Sequence, residues 1–424
     1  MEFLTLNFWI GTIIGAVVGA VFEGIVGYYI SNIMKSRRDN NLKKKRAENN
    51  TKLLDLFSKQ DYSLNSNGII MLAHGVPTYS PESLNEGKVD KCFYYPIPEK
   101  YRDILNTFGF SQKKTDDIQY SDEDNCLFEN FWGKDNFARG LSTIGINWDD
   151  TIKKDLDIIA NNVAKSFHED LKNGKVRFNG AMYGVDYFDP GRSSGEELPT
   201  VTINFYKTDY FTYRVFSCLY QNHRIGNNAF KKDFINSLSY PFLASFGIAF
   251  IAIISTNKCN AAIEGSDVIV IGRRSNDVIV DKGRLHFTMN EAFSIRDMNV
   301  NNPSFELCAI RGFVEELKWS KHIHGLKFGD LKFTDFFFNN NACEMGVVGY
   351  VKIETSEELP LEEAVDKLTK LYKESQDGIL ETNGLVFVAM KDARTYLQKQ
   401  KEFMSIGFAT ALDCLLRRYE LNLI

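Results

Sequence analysis

The segment CAIRGFVEELKW, residues 308–319, brings together the side chains best suited to chemistry in this chain. On a helix Arg311 and Glu315 stand four residues apart and share a face, with Glu316 one residue round. Adjacent carboxylates oriented by an arginine can hold a divalent cation, which can in turn hold a diphosphate. The same spacing also describes an ordinary ion pair on a solvated helix face. Arg273 and Arg274 are a second candidate pair, because guanidinium forks fit phosphate oxygens. If they lie on a strand, one of the two must point away from the other's partner. His286 either touches a ligand or packs, and His322 with His324 alternates as on a strand without a third metal ligand nearby in sequence. The aromatics Tyr210, Phe211, Tyr213 and Phe216 read as core rather than as a stacking platform. No P-loop, GxSxG or HExxH motif is present.

These residues need elements to hold them. Residues 51–175 read as mixed and mostly helical, with helical spacing clearest over 151–171, and residues 113–125 as an acidic, exposed loop. From residue 176 the period shifts towards strands, at 201–208 and in the aromatic stretch 210–216, with a loop at 191–195. Two apolar runs, 247–254 and 267–275, predict buried strands. The longer stretch 240–254 around the first opens with Pro241 and is too short and too rich in β-branched residues for a second membrane span. A helix opened by Pro303 is expected over 302–319, strands at 330–338, 346–354 and 384–390, a helix at 360–373 and a terminal helix at 393–419. The pattern is α+β, with the domains 1–34, 35–50, 51–175 and 176–424 and no internal repeat.

The N-terminus reads differently. From residue 8 to residue 33 nearly every position is apolar or small, and Glu23 is the only charge; seven basic residues follow by Arg46. Roughly 20 apolar residues cross a hydrocarbon core. The expectation is therefore a single transmembrane helix at 1–34, N-terminus outside, with a basic tether at 35–50 and the rest cytoplasmic. A cleavable signal peptide lacks its basic n-region and cleavage site here. Gly11, Gly15, Gly19, Glu23 and Gly27 recur every four residues and form one ridge, which suits close self-association in lipid. The alternative is ordinary membrane glycines with a snorkelling Glu23.

Composition narrows the partners. Residues 1–34 carry −2 and residues 35–46 carry +6, which leaves −9 on residues 47–424 out of a total of −5. An acidic body argues against DNA or RNA, whose binding relies on neutralising phosphates, and the basic run fits anionic inner-membrane lipids. Seven scattered cysteines without CxxC fit a reducing compartment.

The segment around Arg311 resembles the second half of the Nudix box, Gx5Ex7REUxEExGU with U apolar. Arg311 takes the arginine, Phe313 the apolar position, and Glu315 with Glu316 the paired glutamates. GRRS, residues 272–275, looks like the strand end before such a motif, and residues 285–297 stand where the substrate-facing strand and loop stand. The chain is similar to the divergent Nudix-like domains of bacterial antiphage cyclic-oligonucleotide signalling, often fused to a spanning helix, with the likeness covering residues 235–392 well and 176–234 more loosely through TDYFTYRVFS, residues 208–217. The resemblance implies a mixed-sheet α/β/α domain and a membrane-bound effector of antiphage defence in the inner membrane. Such an effector binds a nucleotide second messenger, oligomerises and disrupts the membrane. Arg273, Arg274, Glu291, Arg311, Glu315 and Glu316 would line its pocket. An active site would add Mg2+ on Glu315 and Glu316, making the chain a Nudix hydrolase of nucleoside diphosphate derivatives; a plain anchor or scaffold is the third reading. This sequence departs from the box at Gly312, where a glutamate is expected. Asp297, Pro303 and Lys318 replace the first glycine, the first glutamate and the last glycine. Binding a nucleotide needs less than the full acidic cluster that hydrolysis requires, so the balance favours binding.

Overall fold

The structure is a computed structural model, and it describes residues 69–73, 84–86, 92–108, 110, 149–175, 178–192, 199–223, 244–255, 267–276, 281–299, 302–318, 322–323, 326–339, 342–355, 359–375, 382–422 and 424. All of them belong to the second of two compact units, Asp61–Ile424. The strands are β1 (Ile69–Ala73), β2 (Leu84–Glu86), β3 (Ala181–Arg192), β4 (Pro199–Asp209), β5 (Phe246–Ser255), β6 (Val268–Arg274), β7 (Leu285–His286) and β8 (Met289–Ala292). They continue with β9 (Met298–Asn299), β10 (Asn302–Pro303), β11 (His322–Ile323), β12 (Leu326–Phe328), β13 (Lys332–Asn339), β14 (Glu344–Thr355) and β15 (Thr382–Ala389). The helices are α1 (Glu99–Thr107), α2 (Asp150–Lys172), α3 (Tyr210–His223), α4 (Phe305–Leu317), α5 (Leu361–Glu374), α6 (Met390–Gln400) and α7 (Ile406–Glu420).

A mixed sheet runs in the order β1-β13-β14-β5-β6-β15, with β14 and β5 parallel and the other neighbours on this path antiparallel. Its centre is β5, where every residue from Phe246 to Ile254 is buried. Continuous apolar sequence is what a strand covered on both faces requires. One face carries Ile248, Phe250, Ala252 and Ile254, which join a core with Phe313 of α4 and Leu368 of α5. The other carries Ala249, Ile251 and Ile253, packed with Leu397 of α6 and Leu412 of α7. The first core is continuous with α2, α3 and the smaller sheet β2-β4-β3, through Phe167, Phe205 and Phe216.

The sheet splits where the site forms. β5 and β6 pair only between Ala252–Ile254 and Val268–Val270. Beyond that, β7 pairs with β6 and β8 with β5. Thr288 stands in the fork: its Oγ1 accepts from Ala252 N at 2.9 Å and donates to the carbonyl of Val270, while its own N–H reaches Phe250 O at 3.0 Å. A side-chain hydroxyl thus replaces a missing rung of the ladder.

Several expectations change. The fold class is corrected: among the described residues no helix is long and apolar enough to cross a membrane, so the fold is a mixed α/β one without an assigned transmembrane helix. The longest described helix, α2, is amphipathic, with Ile152, Leu156, Ile159, Val163 and Phe167 buried and lysines and aspartates between them. The ridge of Gly11, Gly15, Gly19, Glu23 and Gly27, the tether at 35–50 and the loop at 113–125 lie outside the described residues. The stretch 210–216 is helical, not a strand, because Phe211, Val215, Phe216, Leu219 and Tyr220 fall on one buried helical face. The terminal helix is two helices, broken at 401–405, where Ser405 caps α7 by accepting from Phe408 N at 3.4 Å.

Candidate functional site

Helix α4 starts at Ser304, whose Oγ accepts from Leu307 N at 3.3 Å, and ends at Lys318 in the left-handed region, φ 50°. Its buried stripe is Phe305, Cys308, Ala309, Gly312, Phe313, Glu316 and Leu317. Gly312 lies against β8. A Cβ there would sit 2.6 Å from Met289 Sδ and 2.5 Å from Glu291 Cγ. The place of the expected glutamate is therefore filled by side chains of the neighbouring strand.

One residue N-terminal, Arg311 spends every donor it has. Its Nε reaches Asp297 Oδ1 at 2.8 Å, and Nη1 reaches Glu291 Oε2 at 2.8 Å and Glu315 Oε2 at 3.0 Å. Its Nη2 reaches Asp297 Oδ2 and Ala292 O, both at 3.0 Å. These bonds match the five N–H groups of a guanidinium. Burial opposes the charge, but the fork to Asp297 and the charge of Glu291 outweigh it and hold Arg311 above its ordinary value. The neighbouring Cys308 thiol is pushed well up, by burial first and by Asp297 next.

The paired glutamates diverge. Glu315 turns out to Arg311, its side chain 38% exposed. Glu316 turns in, is buried, and accepts from Asn290 N at 3.2 Å. Successive helical residues differ by about 100° in direction, which is what separates them. Among the described residues no group of three or more His, Cys, Asp or Glu is placed to hold a metal ion. The residues thus do not fit the Mg2+ that the resemblance implies: an arginine occupies the middle of the carboxylates, and Glu316 faces away.

Arg273 and Arg274 end β6 on the far side of the fork. Arg273 is exposed and its charge is felt by Tyr396 of α6. Arg274 is half-buried, and its charge is felt by Asp281, His286 and Glu344. The two arginines therefore have different neighbours. Arg274 N also donates to Arg284 O at 2.9 Å, which brings Arg284 and the exposed Lys282 to the same hairpin. Burial raises the Asp281 carboxyl, while Arg284 and Arg274 pull it down. Burial and Arg274 together hold His286 well below the usual histidine value.

The structure thus brings together Glu291, Arg311 and Glu315, places Glu316 beneath them, and sets Arg273 and Arg274 apart. Asp297, the strongest partner of Arg311, shows in the sequence only as the replacement of the box's first glycine, because its role depends on a loop fourteen residues away closing onto α4. His322 lies on β11, and His324 falls outside the described residues. Phe211 and Phe216 are fully buried core residues.

No family model matches the chain, and no curated protein does. Several solved structures align with part of it, two of which illustrate the likeness. A Deinococcus radiodurans protein shares 11% identity, with a TM-score of 0.25, over 40% of this chain and 82% of its own. The Nudix hydrolase RenU of M. smegmatis shares 11% identity, with a TM-score of 0.24, over 42% of this chain and 86% of its own.

Proposed function

We propose that residues 244–420 form a Nudix-like domain that binds a phosphate-bearing nucleotide and does not hydrolyse it. One observation carries the reading: Arg311 is saturated by Glu291, Asp297 and Glu315, beside a Gly312 whose surroundings leave no room for a side chain. Metal-assisted hydrolysis needs carboxylates free to clamp a cation and activate water. Here three of them neutralise one arginine and leave a net negative patch that repels phosphate. The phosphates would meet the exposed Arg273, Lys282 and Arg284 on the hairpin between β6 and β7 instead, where with Arg274 the basic residues outnumber Asp277 and Asp281 in the sequence. Charge-assisted contacts of that kind are worth about 1.5–3 kcal/mol each. The sequence resemblance to antiphage signalling domains makes a cyclic oligonucleotide second messenger the ligand class to try first.

The deciding experiment is calorimetric titration of the full chain with cyclic di- and trinucleotides and with nucleoside diphosphate derivatives, alongside phosphate release in Mg2+ or Mn2+. Binding without phosphate release supports the reading. Metal-dependent turnover lost in Glu315→Gln would establish the hydrolase instead.

A further inference from the structure

The outer edge of the main sheet is built like an interior strand. β15 reads TNGLVFVA, with no charged residue and no proline. Both its faces are covered: Leu385 and Phe387 pack on the first core, Val386 and Val388 on the second. Yet among the described residues β15 pairs only with β6. Natural edge strands are usually blunted by lysine, proline, an inward charge or a bulge. The one irregularity in its pairing with β6 falls between Thr382 and Gly384, φ 137°, and the register is regular from Gly384 to Ala389.

The direction of the open groups follows from β6. Val270 turns its carbonyl to Thr288 and Arg274 turns its N–H to Arg284, so the even residues of β6 address β7 and the fork. Their partners on β15, Leu385 opposite Gly272 and Phe387 opposite Val270, must then turn their own backbone groups outward. Among the described residues nothing accepts from or donates to those outward groups of Leu385 and Phe387.

We infer that this edge pairs with a second copy of the chain, β15 against β15 in antiparallel register about a two-fold axis through Val386. That axis sets Leu385 of each copy opposite Phe387 of the other, outward groups facing outward groups, and each such pair exchanges two N–H···O bonds. The edge is thus complementary to itself in the alternation of donors and acceptors. It is also free of charges that a two-fold would oppose, which an isologous interface requires. The sheet then continues through both copies. A strand from a different protein could form the backbone bonds, but nothing in the edge selects a foreign side chain.

Val386 faces its own counterpart across the axis, which gives a charge test. The full chain should sediment as a dimer. Val386→Lys and Val386→Glu should each weaken self-association at least tenfold, since like charges directly opposite repel, and an equimolar mixture of the two should restore the dimer. Amide hydrogen exchange on the unmodified chain should show Leu385 and Phe387 slowed on dimer formation. A monomeric full chain, an undisturbed dimer in both variants, or fast exchange at those amides in the dimer would each overturn the inference. Failure of two folded variants to associate with each other would overturn the register.

Discussion

Arg418 donates through both Nη atoms to the two carboxylate oxygens of Asp335, at 2.7 and 2.6 Å, with side-chain exposures of 3% and 2%. The fork fastens α7 to β13 through an otherwise apolar layer. Burial opposes the arginine's charge, and Asp335 more than restores it. Removing one partner of such a pair leaves a buried charge unopposed, a cost of about 3–5 kcal/mol. Asp335→Asn should therefore lower stability in a urea titration by several kcal/mol, whereas Asp335→Leu combined with Arg418→Met should recover most of it. Equal loss in the single and double variants would contradict the electrostatic account.

The crowding at Gly312 makes a second expectation. Gly312→Ala must displace Met289 and Glu291, and overpacking of this kind costs about 1–3 kcal/mol. Gly312→Glu, which supplies the glutamate of the Nudix box, should destabilise the chain at least as much and yield no Mg2+-dependent phosphate release. Turnover in that variant would show that the cluster can be rebuilt around a cation.

Arg311 and Arg273 should separate structure from ligand. Arg311→Lys keeps the charge but loses the fork to Asp297, so unfolding should ease by roughly 2–3 kcal/mol. Nucleotide affinity of the folded fraction should stay within about twofold, because Arg311 has no spare donor. Arg273→Ala should do the opposite, leaving stability unchanged and weakening binding about tenfold. Titration calorimetry and denaturant curves on the same two samples would expose a reversed pattern.

His286 gives the chain an acid limit. Its folded-state value lies well below that of a free histidine. The stability tied to its neutral form is therefore complete above the unfolded value, near pH 6.5, and is lost as pH falls below it. Melting temperature should drop between pH 7.5 and 5.5, and His286→Gln should flatten that part of the profile. A profile unchanged by the substitution would assign the acid sensitivity to other groups.

Much of the frame was legible from local pattern. The runs 247–254 and 267–275 had the composition of strands buried on both faces and became β5 and β6. The i to i+4 spacing of Arg311 and Glu315 placed both on one face of α4. What escaped reading depends on distant residues. The aromatic stretch at 210–216 has strand-like composition, and it is helical because the core it fills is contributed by α2 and β4. Neither Asp297 nor Met289 advertises its place at α4: Met289 arrives on β8 beside the fork held by Thr288, and Asp297 in the loop that follows, where Ser294 N donates to its Oδ2 at 2.9 Å. That Glu316 points inward while Glu315 points out follows from helix geometry, but the direction of the core was not in the sequence of α4 alone.

The parallel pairing of β5 with β14 sets a timing problem for the nascent chain. Phe246 lies in register with Met345, about a hundred positions later. At about 5–20 residues per second, a ribosome needs roughly 5–20 seconds to deliver that partner after β5 has been made. Throughout that interval the strand partners available to β5 among the described residues are the short ladders to β6 and β8. One long edge of a strand that ends at the centre of the sheet therefore waits unpaired until β14 emerges.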